Sequence, residues 1–254
     1  MVLDKFKLDG KVAIVTGSAT GLGQAMAIGL AEAGADIAGV YNRRTPEETQ
    51  KGVEKAGRKF LPIQADLISL EPIPGIIEKT VSELGKVDIL INNAGIIRRA
   101  PSVEFTEKDW DDVMNINLKS AFFLAQAAAK QYMKQGSGGK IINIASMLSF
   151  QGGILIPPYT ASKSGIHGLT KLLACEWAKE NINVNAIAPG YMITTNTEAL
   201  RNDPARNEAI VSRIPAGHWG EPEELQGAAV YLASEASRYM HGFTVAVDGG
   251  WLAR

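Results

Sequence analysis

Tyr159 and Lys163 stand four residues apart in the run Tyr159-Thr160-Ala161-Ser162-Lys163. On a helix that spacing puts both side chains on one face. An ammonium beside a phenol favours the phenolate, so the pair predicts a tyrosine pKa falling from about 10 toward neutrality. A phenol tuned in this way is a general acid and base for interconverting an alcohol and a ketone. Ser146, upstream, can hold the carbonyl oxygen by a hydrogen bond. Asn117 can hold a water that connects to the lysine. A Tyr-x-x-x-Lys pair standing alone is usually an exposed helix pair, so its meaning depends on its surroundings.

Those surroundings begin with Thr16-Gly17-Ser18-Ala19-Thr20-Gly21-Leu22-Gly23, between an apolar β-branched run and a helical pattern. Glycines in such a loop let the backbone approach a pyrophosphate, which then rests on a positive helix N-terminus. The spacing is G-x-x-x-G-x-G, not the common dinucleotide fingerprint. Asp66 and Leu67 follow the third apolar run. Asp66 can accept from an adenine amino group, or serve only as a turn former. Asn92-Asn93-Ala94-Gly95 follows the fourth run, where the asparagines could merely satisfy their own turn.

Strands at 12–16, 37–41, 60–65, 87–92, 140–145, 182–188 and 244–247 alternate with helices at 21–33, 47–56, 72–84, 106–135, 159–179 and 222–233. This alternation predicts parallel βαβ units. The apolar runs barely alternate, as in strands covered on both faces. The expected fold is α/β: one doubly wound, Rossmann-like parallel sheet with helices on both faces, in a single domain over 1–254. Ligands of such sheets bind beyond the carboxyl ends of the strands, where the chemical residues cluster. The stretch 191–219, irregular or locally helical, reads as a lid over the site.

Composition narrows the function. The chain has 254 residues, 46% of them hydrophobic and 21% charged, which excludes disorder. Its 26 basic and 27 acidic residues give a net charge of −1. That argues against nucleic-acid and membrane-surface partners, which need a basic excess. One cysteine, Cys175, allows no internal disulfide, and His167, His218 and His241 have no metal spacing. Cys175 is expected to pack in the core beside Leu172, Leu173 and Trp177. The start, MVLDKFKLDGK, lacks the apolar core of a signal peptide. The uncharged stretches 12–31 and 141–162 are broken by glycines, prolines or polar residues. A soluble cytoplasmic protein is expected.

Together and in this order, TGSATGLG at 16–23, Asp66, NNAG at 92–95, Asn117, Ser146, YTASK at 159–163 and Pro189-Gly190 resemble the short-chain dehydrogenase/reductase family over nearly the whole chain. The resemblance implies Tyr159 as acid/base, Lys163 lowering its pKa and binding the nicotinamide ribose, Ser146 orienting substrate, and Asn117 supporting a proton relay. It implies a cofactor site of Gly17, Ser18, Thr20, Gly21, Leu22, Gly23, Tyr41, Asn42, Arg43, Asp66, Leu67, Asn93, Ala94, Gly95, Tyr159, Lys163, Pro189, Gly190, Ile193 and Thr194. No metal is called for. Segments such as IIRR at 96–99 and RIPAGHWGEP at 213–222 resemble the deoxygluconate dehydrogenase subgroup, which acts on keto-deoxy sugar acids in pectin or uronate breakdown. Gluconate 5-dehydrogenases are near relatives of that subgroup.

A sugar acid carries a carboxylate, and guanidinium suits it best by geometry. Arg98 and Arg99 follow the NNAG turn and are the candidates, with Ser146, Gln151 and Tyr191 in the pocket wall. Trp219 is as readily core. The cofactor is NAD or NADP: the narrower resemblance leans to NAD. No acid stands at Tyr41 or Asn42, and Arg43 and Arg44 can take a 2′-phosphate. A noncatalytic nucleotide-binding regulator could share this fold. The Asn117, Ser146, Tyr159 and Lys163 set argues against it, since a binding module needs no acid/base pair. The family resemblance implies a homotetramer, with the 106–135 and 159–179 helices at one interface and the 247–254 tail, with Trp251 and Leu252 exposed, at another.

Overall fold

The computed structural model describes residues 1–254. Seven strands form one sheet: β1 (Val12–Thr16), β2 (Asp36–Tyr41), β3 (Phe60–Gln64), β4 (Ile89–Asn92), β5 (Gly139–Ile144), β6 (Ile182–Pro189) and β7 (Thr244–Val247). Their order is β3-β2-β1-β4-β5-β6-β7, and every pairing is parallel. All residues of β1 and β6 are buried, which is why their sequences run apolar without alternation.

Nine α-helices connect them: α1 (Gly21–Glu32), α2 (Glu47–Lys55), α3 (Ile73–Leu84), α4 (Glu107–Met114), α5 (Ala121–Gln135), α6 (Pro157–Trp177), α7 (Glu198–Arg201), α8 (Pro204–Val211) and α9 (Gln226–Ala233). On one face α3, α5 and α6 pack Ile76, Leu124, Tyr132 and Leu173 against the sheet. On the other, α1, α2 and α9 contribute Met26, Leu30, Val53 and Leu232. The expected doubly wound α/β architecture is present.

Three expectations need correction. The helix read over 106–135 is not uniform: Asn115–Ser120 forms a π-helical stretch between α4 and α5. Tertiary bonds accompany the wide turn, from Asn117 to Ile96 and from the Ser120 hydroxyl to the Leu67 carbonyl. Apolar periodicity carries no record of such bonds. Cys175 is exposed, because Leu173 and Ala174 hold the buried face of α6 and the next residue turns outward. Trp251, expected at the surface, is only 4% exposed and packs in a satellite core with Met147, Ile210, Ile214 and Trp219. No helix is long and apolar enough to cross a membrane.

Candidate active site

The direction of winding reverses between β1 and β4, and the candidate residues gather beyond their carboxyl ends. Asn93 ties the two strands together. Its Nδ2 donates to the Thr16 carbonyl at 2.8 Å, and its backbone N–H donates to Thr16 Oγ1 at 2.9 Å. Ala94 N–H also donates to Thr16 Oγ1, at 2.9 Å. Asn92 Nδ2 donates to Asn143 Oδ1 and to the Ala121 carbonyl, both at 3.0 Å. The asparagines thus serve neighbouring elements rather than their own turn.

The glycine loop lies against this tie. Gly17 and Gly21 have φ of +66° and +56°, a region side chains rarely adopt. A Cβ on Gly23 would run into the Gly17 carbonyl and sit 2.5 Å from Asn93 Nδ2. The loop therefore lays bare backbone before the N-terminus of α1, whose first turn carries no acid. That cradle fits the pyrophosphate of a dinucleotide. Ser18 has a structural role: its N–H and its hydroxyl both donate to the Val40 carbonyl, at 3.1 and 3.2 Å. Thr20 precedes α1 and Leu22 lies in its first turn; a Cβ on Gly95 would lie 3.2 Å from Asn117 Oδ1.

The far side of the loop carries the residues expected to meet ribose and adenine. Tyr41 ends β2, and the Asn42 carbonyl accepts from Gln64 Nε2 at 3.0 Å. Asn42, Arg43 and Arg44 are exposed. Asp66 is exposed too, and one of its oxygens accepts the Ile68 N–H at 3.1 Å, so it does form a turn. Above the loop, Pro189 ends β6 and Gly190 passes close to Asp248. Ile193 N–H donates to the Gly220 carbonyl at 2.8 Å. A Cβ on Gly21 would lie 3.5 Å from Thr194 Cγ2, so the segment after β6 already overhangs the cradle.

Ser146, Tyr159 and Lys163 come together beyond β5. Ser146 is 8% exposed, and its hydroxyl accepts the Leu148 N–H at 3.2 Å. Two prolines, Pro157 and Pro158, open α6 and fix its first turn, which carries Tyr159. Lys163 sits one turn on, buried, with Nζ 5.6 Å from the Tyr159 ring centroid. It donates to the Ile144 carbonyl at 2.6 Å. Burial lowers its pKa to about 8.

The expected fall in the tyrosine pKa is not found. Burial raises the Tyr159 phenol above its ordinary value, while the nearby Ser146 hydroxyl and the Arg99 charge pull it down by less. Lys163, directed at Ile144, is not among the groups lowering it. Asn117 also braces the loop after β4. It is 2% exposed, and its amide bonds Ile96 and Ser162 rather than pointing to the lysine.

Beside Tyr159 and Ser146 opens a pocket of about 550 Å³. Arg99, Gln151 and Tyr191 line it, as expected. Arg98 does not: its Nε pairs with Asp109 Oδ1 at 3.3 Å at the start of α4, which draws it away from the pocket. Tyr191 stacks edge-on against Trp219 and Trp251, with centroids 5.2 and 4.8 Å apart. Arg99 reaches across to donate to the Asn196 carbonyl at 3.1 Å.

The fold and these motifs recur in known proteins. A family model described as enoyl-(acyl carrier protein) reductase matches residues 17–252. The 2-dehydro-3-deoxy-D-gluconate 5-dehydrogenases of Dickeya dadantii and Escherichia coli are 63% and 62% identical, each over all of both chains. The chain belongs to the short-chain dehydrogenase/reductase family. A crystal structure from Agrobacterium tumefaciens with bound NADP, provisionally assigned as a 2-deoxy-D-gluconate 3-dehydrogenase, is 55% identical. It superposes with a TM-score of 0.90 over 98% of this chain and 99% of that one.

Within this short-chain dehydrogenase/reductase, sequence reasoning missed part of the pocket. Arg206, Arg213 and Trp251 also line it. A signal was present: Arg206 and Arg213 are seven residues apart in the stretch read as a lid, a spacing that shares a helix face. Trp251 had no such signal, since only the return of residues 248–254 onto α8 buries it.

Proposed function

We propose that this chain is an NAD(P)-dependent oxidoreductase that interconverts a secondary alcohol and a ketone on a keto-deoxy sugar acid, of the 2-dehydro-3-deoxy-D-gluconate 5-dehydrogenase type. One observation carries the reading. The pocket that Tyr159 and Ser146 line is also lined by Arg99, Arg206 and Arg213 and by no acidic residue. Such a pocket favours an anionic, hydroxyl-rich substrate. The identity to relatives named for that reaction supports it.

In this reading Gly17, Gly21 and Gly23 with the N-terminus of α1 hold the pyrophosphate. Asp66 and Leu67 flank the adenine, and Asn93, Ala94, Gly95, Pro189, Gly190, Ile193 and Thr194 flank the rest. When bound, the nicotinamide accepts or supplies the hydride. Ser146 holds the reacting oxygen by a hydrogen bond. In oxidation Tyr159, as phenolate, takes the hydroxyl proton while the carbon loses hydride; in reduction its phenol returns that proton to the oxygen. Lys163 holds the ribose, and the Ser146 hydroxyl and the Arg99 charge are the groups that favour the phenolate. Asn117 keeps the loop after β4 in place beneath the reacting groups.

Residues 191–219 act as the lid. The overhang of Thr194 at Gly21 and the Arg99 bond to Asn196 support that role. Slower hydrogen exchange across the lid on adding cofactor is the expected result, and unchanged protection would remove the assignment. We further propose a cytoplasmic homotetramer serving pectin or uronate breakdown. The half-exposed Leu172 on α6 supports a subunit contact there, and sedimentation tests it.

The deciding assay follows nicotinamide absorbance. NAD and NADP are paired in turn with 2-deoxygluconate and gluconate, and the reduced cofactors with 2,5-diketo-3-deoxygluconate. Turnover of the deoxy compounds is expected. Turnover of gluconate alone assigns the gluconate 5-dehydrogenase reaction instead. Tyr159→Phe should lower turnover by on the order of 10²–10⁴-fold and spare cofactor binding; near-wild-type turnover would remove Tyr159 from its role.

A further inference from the structure

The three pocket arginines are not equivalent. Arg99 is already engaged, with one Nη donating to the Asn196 carbonyl at 3.1 Å. Its charge also acts on the Tyr159 phenol. Arg99 and Tyr159 line the same pocket, so a carboxylate held by Arg99 would lie toward its reacting end. In a sugar acid that reacts at C5, the carboxylate is four bonds away. Arg206 lies on exposed α8 with only its backbone held, by the Asp203 cap.

Arg213 is exposed like the other two, but its guanidinium is held on two sides. Its guanidinium carbon stands 4.1 Å from the centroid of the Trp251 ring. One Nη donates to Gln151 Oε1 at 3.4 Å, and Trp251 Nε1 donates to the same oxygen at 3.2 Å. Arg254 donates to the Ser212 and Arg213 carbonyls at 3.0 and 2.8 Å, fixing the backbone beneath. No carboxylate pairs with Arg213, and no acid lines the pocket. A guanidinium has five N–H donors, and here one edge is spent on Gln151. The Trp251 ring and the Gln151 bond restrain the guanidinium, and a fork held in place loses little entropy on binding.

We propose that Arg213, held by Trp251 and Gln151, binds the substrate carboxylate, and that Arg99 does not. Gln151 is then a positioning residue for Arg213 rather than a direct ligand. Residues 248–254, which supply Trp251 and Arg254, become part of the specificity apparatus. The inference rests on the sugar-acid reading above.

The test compares 2-dehydro-3-deoxy-D-gluconate, oxidised at C5, with its neutral primary amide, in the wild type, Arg213→Gln, Arg213→Lys and Arg99→Gln. The wild type should favour the acid. Arg213→Gln should raise KM for the acid by on the order of 10-fold to 100-fold, the range for a charged hydrogen bond, and keep kcat within a few-fold. It should also erase the preference for acid over amide, with cofactor affinity unchanged. Arg213→Lys should restore part of the preference. Arg99→Gln should retain it and shift the pH profile of kcat upward, since a cation near the phenol is lost. Retention of the preference in Arg213→Gln, or its loss only in Arg99→Gln, overturns the assignment. A wild type that treats acid and amide alike overturns the sugar-acid reading, and this inference with it.

Discussion

Asn117 grips the backbone of Ile96 with both ends of its amide. Oδ1 accepts the Ile96 N–H at 2.8 Å and Nδ2 donates to the Ile96 carbonyl at 2.9 Å. The π-helical stretch around Asn117 brings a buried helix residue onto the loop that follows β4. Widened turns of this kind often mark functional sites. That loop begins with the Asn93 tie to Thr16, so the amide pair braces one wall of the cradle and one wall of the pocket together.

Asn117→Ala leaves two backbone groups of Ile96 without their partner. A loss of about 1–3 kcal/mol is expected in urea denaturation. Turnover should fall with it, because misplacing groups by an ångström is costly in rate. A variant as stable as the wild type would mean that solvent or neighbouring backbone replaces the amide without cost.

Lys163 makes stability depend on pH in a direction opposite to that of a salt-bridged lysine. Burial lowers its pKa to about 8, from 10.5 for a free lysine. Between those values the unfolded chain binds more protons than the folded one, so this group's contribution rises with pH across the window. Below it, the ammonium is protonated in both states and its full desolvation cost remains. Each pH unit inside the window is worth at most about 1.4 kcal/mol. In the cofactor-free protein, wild-type stability relative to Lys163→Met should therefore climb from about pH 8 toward about pH 10. Urea midpoints of the two proteins at matched pH check this. A flat difference would show that Lys163 is solvated as freely in the folded state as in the unfolded one.

Gly23→Ala tests the cradle. The new methyl would strike the Gly17 carbonyl and crowd Asn93 Nδ2, both of which are backbone or pinned by bonds to it. Neither can yield without moving the loop. Cofactor affinity should drop by at least about 10-fold, one RT-scaled step of 1.4 kcal/mol, and thermal stability should fall as well. Fluorescence titration with reduced cofactor reads the first, and calorimetry the second. Unimpaired binding would imply that the loop tolerates displacement and is not the pyrophosphate seat.

Much of this arrangement is written in local sequence. The strand–helix alternation that yields the parallel sheet depends on apolar runs and glycine stops, which are properties of neighbouring residues. Tyr159 and Lys163 share a helix turn and were legible for that reason. What escaped depends on distant parts of the chain. The direction of Arg98 is set by Asp109 at the start of α4. The burial of Trp251 depends on α8. The tyrosine pKa expected from spacing alone assumed that the ammonium faces the phenol, whereas the Ile144 carbonyl draws it aside. Spacing brings groups onto one face, but the tertiary partners decide where each group points.

Arg43 and Arg44 are predicted to set the cofactor preference. Strand β2 ends at Tyr41, and an acid in this region would accept from the ribose 2′-hydroxyl and repel a 2′-phosphate. The sequence there is Tyr41-Asn42-Arg43-Arg44, with no acid and two exposed guanidiniums. A preference for NADP is therefore the expected outcome. Exposed ion pairs are worth only about 0.2–1 kcal/mol each. A doubly charged phosphate between two arginines should gain a few-fold to about 10-fold in affinity, not more. Replacing both by alanine should lower kcat/KM for NADPH by that factor and leave NADH nearly unchanged. Asn42→Asp should move the ratio further toward NADH, through the ribose bond gained and the repulsion added. The preference should also shrink as ionic strength rises, because screening acts on exposed charges within about 10 Å. If the double variant keeps the wild-type ratio and salt leaves it unmoved, the two arginines are solvated bystanders, and the choice between cofactors is made elsewhere in the adenine pocket.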